Sequence, residues 1–276
     1  MANIGCYRNV RLLQDVVSVL LRHNADVKAR DKYWITPGHI AAANNAVPCM
    51  DQMLDSTNNI DLSDKGGRSS LHHAANLGHF EMAELLIDKG LVPVDPKDKR
   101  DRRPLHYAAF GNHADLVRLL LGTFNLKIIH FTESREIIKQ AIIFISARKA
   151  DVDAVDKDQY TALHAASASG ASIIVQQLLE ANADVLAPNS FGNTPVHTAC
   201  LNGHGDVLNI LLSVLAEQKE NVFDLLNSND QSPLHLAAAS PSADRCFDSL
   251  MQEPLAGNIC AIDVSKYQAQ STSLKY

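Results

Sequence analysis

The chain has 276 residues, of which 46% are hydrophobic and 20% are charged, and its formal net charge at pH 7 is −6. This mild charge comes without a lysine- or arginine-rich face, so the sequence argues against nucleic acid as a partner. The five cysteines are far apart and odd in number, which favours reduced thiols and a location in the cytoplasm, the nucleus or both. The sequence has no signal-peptide pattern and no apolar run long enough to cross a bilayer, so we expect no membrane insertion.

A short motif built around one histidine recurs along the chain. The histidine stands at positions 39, 72, 106, 164, 197 and 235, and most of the steps between successive copies are close to 33. The step from His106 to His164 is much longer than the others, and the step from His197 to His235 is slightly longer. These spacings indicate a 33-residue repeat with one large and one small insertion. A period of this size is typical of a solenoid, in which each unit stacks on its neighbours.

The sequence around each copy of the motif predicts an extended loop, which we call a finger, followed by a helix, a turn and a second helix. A threonine or serine followed by proline, as in Thr36-Pro37 and Thr194-Pro195, is typical of a helix start. Alanine pairs then leave room for a second helix, whose apolar stripe includes a pair such as Leu85-Leu86 or Leu178-Leu179. The sequence Asn182-Ala183-Asp184-Val185 then turns the chain out into the next extended finger.

This arrangement resembles the ankyrin repeat over roughly residues 10 to 250. The resemblance implies an all-α repeat solenoid of stacked helix pairs, with hairpin fingers projecting to one side and a concave face. We expect a partial first repeat and then six motif-bearing repeats near residues 31–63, 64–97, 98–155, 156–188, 189–226 and 227–255.

A narrower resemblance concerns the finger segments 98–109, 156–167 and 187–197. They are similar to successive repeats of the long regulatory ankyrin-repeat subunits of protein phosphatase 6. That resemblance implies that the chain connects the catalytic subunit of phosphatase 6, through the enzyme's other regulatory subunits, to phosphoprotein substrates. Members of that family are much longer than 276 residues, so we expect a short form, a fragment or an incomplete gene model.

Three segments depart from the repeat pattern. The chain opens at Val10 to Leu21 in the second helix of a repeat, with no first helix before it. Residues 122–146 form an insertion within the third full repeat and hold seven isoleucines. We interpret this insertion as translated intron sequence that would break the stack, and a protruding docking element is the alternative. Residues 256–276 match no part of the pattern and form a tail of unknown structure.

The recurring histidines raise the question of a metal site. The six motif copies occur once per repeat, too far apart to share an ion, so we interpret each as a structural residue that bonds the backbone of an adjacent repeat. The sequence contains no nucleophile motif, no phosphate-binding loop and no metal-ligand spacing. We therefore expect no catalytic residues, no cofactor, no metal and no enzymatic activity.

The remaining candidates are exposed side chains on the finger tips and the concave face. Aromatic and arginine side chains often dominate binding energy between proteins. The candidate protein-binding residues are Tyr33, Trp34, Leu77, Arg100, Arg102, Phe110, Gln159, Tyr160, Phe191 and Leu201. They favour an interaction scaffold that acts as a regulatory or substrate-targeting subunit of a serine/threonine protein phosphatase. Two alternatives stay open: an ankyrin adaptor of unrelated duty, and a truncated, non-functional fragment.

Overall fold

The computed structural model describes residues 4–57, 62–89, 93–122, 149–219, 222–240 and 243–250. Over these ranges the chain forms thirteen α-helices and no β-strand. The inner helices, which carry the histidine motif, are α2 (Pro37–Ala43), α4 (Ser70–Leu77), α6 (Pro104–Phe110), α8 (Ala162–Ser169), α10 (Pro195–Asn202) and α12 (Pro233–Ala239). The outer helices are α1 (Ile4–Arg22), α3 (Val47–Ser56), α5 (Phe80–Asp88), α7 (Ala114–Leu120), α9 (Ser172–Glu180), α11 (Gly205–Gln218) and α13 (Ala243–Leu250).

The start of each inner helix is fixed by its own motif. In α2 the Thr36 amide donates to Nδ1 of His39 over 3.2 Å, while the His39 amide donates to Thr36 Oγ1 over 3.4 Å. The histidine thus takes the place of the acidic residue in a capping box, and Pro37 fills a first position that needs no amide donor. Thr161 and His164 repeat this geometry at α8.

In five of the six motif histidines, the other ring nitrogen is hydrogen-bonded to the next repeat. Because Nδ1 accepts a backbone N–H, the proton lies on Nε2, which donates to a carbonyl of the following finger. These bonds are 2.9–3.1 Å long and run from His39 to Arg68, His72 to Arg102, His106 to Tyr160, His164 to Asn193 and His197 to Gln231. The structural interpretation of the motif histidines is confirmed for these five.

Stacking of the repeats buries one continuous apolar core. Each inner helix packs on the next inner helix, and each outer helix packs on the next outer helix. The alanine pairs are buried between helices, as at Ala74 and Ala75, and the outer helices contribute buried leucines such as Leu86 and Leu178. The all-α repeat solenoid expected from the sequence is confirmed. No helix in the described part of the chain is long and apolar enough to span a membrane.

The stack continues past the site of the insertion. Helix α6 packs directly on α8, and α7 packs on α9. The Ala150 amide donates to the Leu120 carbonyl over 2.9 Å, as the Ala183 amide does to the Leu178 carbonyl. The first bond spans the insertion and the second closes an uninterrupted turn, so the turn that ends an outer helix is kept in spite of the added residues. The expectation that the stack breaks here is wrong for the described helices.

The first described helix of the stack is an outer helix. Helix α1 starts at Ile4, earlier than the sequence pattern suggests, and packs on α3. Its side chains Leu13 and Val16 are exposed over about half of their surface. Apart from Gly122, the insertion lies outside the described residues, and so does the tail at 256–276.

Deletion of residues 122–146 is expected to leave the stack folded and to raise the free energy of unfolding by no more than about 2 kcal/mol, because closing a shorter loop costs less entropy. The deletion joins Leu121 to Ala147 and gives the bond between Ala150 and Leu120 the sequence spacing of an uninterrupted repeat. Each halving of the loop length saves about 0.6 kcal/mol. Urea denaturation followed by circular dichroism measures the change. A loss of helix or of a cooperative transition would contradict this prediction.

Candidate interaction surface

The fingers are held in shape by an acidic or amide side chain at their first position. In the finger that precedes α6, Asp98 Oδ1 accepts the amides of Arg100 and Arg102 over 2.7 and 2.9 Å. Asp156 and Asn189 accept the equivalent two amides in the next two fingers. Each finger is therefore a rigid turn whose tip is set by its own sequence.

Neighbouring finger tips are also joined to one another. The Lys99 amide donates to the Gly66 carbonyl, the Lys157 amide to the Arg100 carbonyl, and the Ser190 amide to the Asp158 carbonyl, over 2.9–3.0 Å. The same bond recurs at both ends of the row, from Lys65 to Tyr33 and from Ser228 to Phe191. Side chains at equivalent positions of successive fingers consequently stand in register along one edge.

The second carboxylate oxygen of two finger aspartates is occupied by an arginine of the same finger. Arg68 contacts Asp64 Oδ2 over 2.8 Å, and Arg102 contacts Asp98 Oδ2 over 2.9 Å. The hydroxyl of Tyr107 also donates to Asp98 Oδ2 over 2.7 Å, and the Arg102 guanidinium lies 4.7 Å from the centre of the Tyr107 ring.

The electrostatics of Asp98 follow from these contacts. Burial alone would raise the pKa of Asp98, but the hydrogen bonds from Tyr107 and two backbone amides, together with the charge of Arg102, hold it below its usual value. Burial and the hydrogen bond to the carboxylate raise the pKa of Tyr107 to about 12. The network keeps a charged acid, a charged base and a neutral phenol together beside α6.

A groove of about 360 Å³ opens beside this network, between α6 and α8. We call it the α6–α8 groove, and it is lined by Asn76, Arg102, His106, Tyr107, Phe110, Asp156, Tyr160, Ala165 and Ala168. Its volume lies within the range of ligand pockets. The groove is therefore large enough to receive a side chain from another molecule.

Sequence differences between repeats create this groove. On α4 and α6 the position after the motif histidine holds His73 and Tyr107, but on α8 it holds Ala165. Ala168 in turn occupies the position of Phe110, three residues further along the helix. Because both α8 side chains are small, the aromatic rings of α6 face an open space instead of a neighbouring side chain.

Asp156 forms the acidic wall of the groove. Its Oδ1 accepts the amides of Asp158 and Tyr160, both over 2.9 Å. Tyr160 stands at the position of Arg68 and Arg102 in the two preceding fingers, so this finger lacks its own arginine. Among the described residues no side chain donates to or pairs with the second oxygen of Asp156.

The groove unites three of the sequence-predicted site residues, namely Arg102, Phe110 and Tyr160. Phe110 is the most exposed of them, with 65% of its surface accessible. Sequence reasoning missed Asp156 and Ala165 as members of the site. The signal that could have found them is the comparison of equivalent positions across the repeats.

The other predicted residues lie outside the groove. Tyr33 and Trp34 are exposed on the first finger, where Lys32 and Arg30 lie 4.9 and 5.0 Å from the respective ring centres. Trp34 has a backbone φ of +64°, in the left-handed region that a large side chain rarely adopts.

The remaining predicted residues follow the row of fingers and inner helices. Arg100, Gln159 and Phe191 are exposed at the tips of three successive fingers, and Leu77 and Leu201 are exposed at the carboxyl ends of α4 and α10. Together with the first finger, they extend the candidate surface along most of the stack.

Substitution of Gly67 by alanine is expected to destabilise the chain by about 2 kcal/mol, because it forces a side chain into a strained backbone conformation and a close contact. Gly67 has a φ of +81°, and an added Cβ would lie 2.7 Å from the Lys99 amide nitrogen of the next finger. Trp34 occupies the same turn position one finger earlier, so Trp34→Ala is the matched control and should change stability by less than about 1 kcal/mol. Thermal denaturation of both variants measures the difference. Equal effects would contradict the role assigned to Gly67.

In the described residues, no cluster of three histidine, cysteine, aspartate or glutamate side chains is arranged to hold an ion. Two buried cysteines, Cys200 on α10 and Cys246 on α13, lie close together, and the Cys246 thiol is 3.9 Å from the Cys200 carbonyl oxygen. Burial of these thiols fits their place in the apolar core.

Comparison with known proteins gives one family and several partial relatives. The chain is 35% identical over 81 residues to protein phosphatase 1 regulatory subunit 27 of Mus musculus, in an alignment that covers 29% of this chain and 53% of that protein. It is 26% identical over 196 residues to the palmitoyltransferase AKR1 of Lachancea kluyveri, covering 70% of this chain and 23% of that protein. It is 29% identical over 196 residues to the B-cell lymphoma 3 protein homolog of Mus musculus, in an alignment that covers 69% of this chain and 38% of that protein.

The chain thus spans between about a quarter and a half of the length of these relatives. The family model for ankyrin repeats matches three times, at residues 38–130, 128–222 and 174–263, and these matches cover most of the chain. Together with the stacked helix pairs and the ladder of motif histidines, they show that the chain belongs to the ankyrin-repeat family.

Proposed function

We propose that this chain is a non-catalytic scaffold that binds other proteins through its fingers and inner helices, as a regulatory or substrate-targeting subunit of a serine/threonine protein phosphatase. The observation that carries the proposal is the α6–α8 groove with the exposed Phe110 at its edge. An aromatic side chain beside a pocket is typical of the few residues that dominate a protein interface.

The finger edge supports a binding role as well. Its tips are fixed by hydrogen bonds within and between fingers, so the surface is preorganised and little entropy is lost when a partner binds. Trp34 is kept in a strained backbone conformation with 48% of its surface exposed. The positive φ belongs to the finger turn, since Gly67, Asp101 and Gln159 share it, so the exposure of the indole ring is what favours a binding role for Trp34.

The phosphatase assignment draws support from two similarities. One relative is itself named a regulatory subunit of protein phosphatase 1. The finger segments 98–109, 156–167 and 187–197 resemble repeats of the regulatory ankyrin subunits of protein phosphatase 6. We therefore propose the catalytic and regulatory subunits of protein phosphatase 6 and phosphoprotein substrates as partners, in the cytoplasm or the nucleus. A bound phosphatase gains effective concentration near a substrate held by the same scaffold.

The experiment that tests this function is affinity purification of the tagged chain followed by mass spectrometry. The comparison variant combines Trp34→Ala, Arg100→Ala and Phe110→Ala. Ile173→Ala is the matched control, because Ile173 is an exposed apolar residue on the outer helix α9. We expect the chain and the control to recover a phosphatase catalytic subunit, and the triple variant to lose most of it.

Other outcomes separate the alternatives. Recovery of proteins that depend on the three residues but include no phosphatase would contradict the phosphatase role and support an adaptor of another duty. The similarity to a palmitoyltransferase, which is not named a phosphatase subunit, is an observation in favour of that alternative. An aggregated chain that recovers no specific protein would support the fragment interpretation.

A further inference from the structure

Two fingers of this stack share a side-chain network that is missing from the next finger, which borders the α6–α8 groove. In the two fingers before α4 and α6, the aspartate oxygen that is not used by the backbone is paired with an arginine four residues later. It also receives a second side chain, His73 at 3.2 Å from Asp64 and Tyr107 at 2.7 Å from Asp98. The finger before α8 keeps the aspartate, as Asp156, but has neither companion.

Because the arginine and the histidine or tyrosine are missing from this finger, the Asp156 carboxylate has an oxygen that is unpaired among the described residues, and the groove beside it is open. Tyr160 replaces the arginine and Ala165 replaces the histidine or tyrosine, so nothing in the described chain pairs with the second oxygen of Asp156. Asp156 lines a groove of about 360 Å³ whose walls include the rings of Tyr107, Phe110 and Tyr160. A carboxylate among aromatic faces attracts a cation that can both pair and stack.

We propose that the α6–α8 groove binds an arginine side chain of a protein partner, whose guanidinium pairs with Asp156 and stacks on the neighbouring rings. The proposal rests on the scaffold function proposed above and names the chemistry of its partner. The chain itself contains the model for the contact, because Arg102 pairs with Asp98 and lies 4.7 Å from the centre of the Tyr107 ring. The partner's arginine would pair with Asp156 as Arg68 pairs with Asp64 and Arg102 pairs with Asp98.

Arginine suits the groove better than lysine does. Its planar guanidinium presents several donors to a carboxylate and stacks on an aromatic face, whereas the lysine ammonium is a compact, strongly hydrated charge. Among the described residues that line the groove, the one arginine or lysine is Arg102, which is paired with Asp98 and does not compete for Asp156.

The test uses variants for which the chain provides its own controls. Asp156→Asn removes the charge and keeps the turn, because Asn189 and Asn227 accept the same two backbone amides in later fingers. Asp31→Asn is the matched control, since Asp31 also accepts two finger amides but does not line the groove. Ala165→Tyr is a second variant, which copies the Tyr107–Asp98 contact and fills the groove.

The probe is a displayed library of random twelve-residue peptides selected on the full chain. We expect the bound peptides to share an arginine at one position. For the strongest peptide, replacement of that arginine by the neutral isostere citrulline is expected to weaken binding at least tenfold to the unmodified chain and to Asp31→Asn. The same replacement should change binding less than twofold for Asp156→Asn, and Ala165→Tyr should bind the arginine peptide at least tenfold more weakly.

Each outcome decides a different claim. Peptides that bind without a shared arginine, or an arginine whose loss costs the same in Asp156→Asn, would overturn this inference and leave the scaffold function intact. A lysine that replaces the arginine without loss would overturn the stacking geometry. A library that yields no binder at all would count against the scaffold function as well. If Asp156→Asn does not fold, Ala165→Tyr alone decides, since unchanged binding there would also overturn the inference.

Discussion

Acidification from pH 7 to pH 5 is expected to reduce the free energy of unfolding steeply, well before the carboxylates are protonated. The cause is the ladder of motif histidines. Burial lowers the pKa of His39, His106, His164 and His197 and lowers the pKa of His72 to about 4, although the bonded carbonyls oppose the shift. Each ring is neutral in the folded chain because Nδ1 accepts an amide and Nε2 donates to the next repeat.

The direction of the effect follows from proton binding. In the unfolded chain a histidine has a pKa of about 6.5, so between that value and the lower folded value only the unfolded state binds the proton. The stabilisation is fully present above about pH 6.5 and is lost as the pH falls toward the folded pKa. For His72, with a folded pKa of about 4, the loss at pH 5 is about 2 kcal/mol. The other four histidines add losses of the same sign, and the whole stability of a domain is only about 5–15 kcal/mol.

Urea denaturation at pH values from 8 down to 5 measures this loss. His72→Gln is expected to be less stable at pH 8 but to lose about 2 kcal/mol less on going to pH 5. His23→Gln is the matched control, because it removes an exposed histidine after α1 that is not one of the motif histidines. Asp64 and Asp98 do not cause the loss of stability between pH 7 and pH 5. Their pKa values are lowered, so the stability that they contribute is lost only below about pH 4. A free energy that stays constant from pH 7 to pH 5 would contradict the histidine account.

The second large effect is expected for Asp98→Ala, which should destabilise the chain by about 3 kcal/mol. Asp98 has only 6% of its surface exposed and holds two finger amides, the Arg102 guanidinium and the Tyr107 hydroxyl. Its removal leaves a cation and a phenol without their acceptor in a partly buried place, which costs more than the loss of an exposed ion pair.

The matched control for Asp98 is Asp31→Ala. Asp31 accepts the same two amides of its finger but is exposed, and in the described chain it has no arginine partner. We expect it to cost about 1 kcal/mol, so the difference between the variants reports the arginine–tyrosine network. Calorimetric unfolding of both variants, with Tyr107→Phe as a third, measures this. Similar losses for Asp98→Ala and Asp31→Ala would show that the network adds nothing to stability.

The parts of this fold that depend on short sequence motifs could be predicted from the sequence. The caps of the inner helices and the role of His39 and its equivalents rest on residues three positions apart and on a bond that recurs from repeat to repeat. The continuity of the stack past residue 122 could not be predicted in this way. It depends on the bond between Ala150 and Leu120, which joins residues on opposite sides of the insertion.

The candidate site was predictable only in part, for a similar reason. Exposed aromatic residues such as Phe110 stand out in the sequence because the repeat leaves their positions variable. The groove beside Phe110 also needs the small Ala165 on α8, which becomes a neighbour of α6 only after the chain has passed the insertion. The unpaired oxygen of Asp156 can be recognised only from the structure, by comparing the contacts of Asp156 with those of Asp98.

The most direct test of the binding surface is amide hydrogen exchange of the chain, alone and in complex with the protein that it purifies with. We predict slower exchange in the complex at the finger residues 98–103 and 156–161 and in α6 and α8, which border the groove. Protection confined to the outer helices α5, α7 and α9, with unchanged exchange at these fingers, would contradict the account.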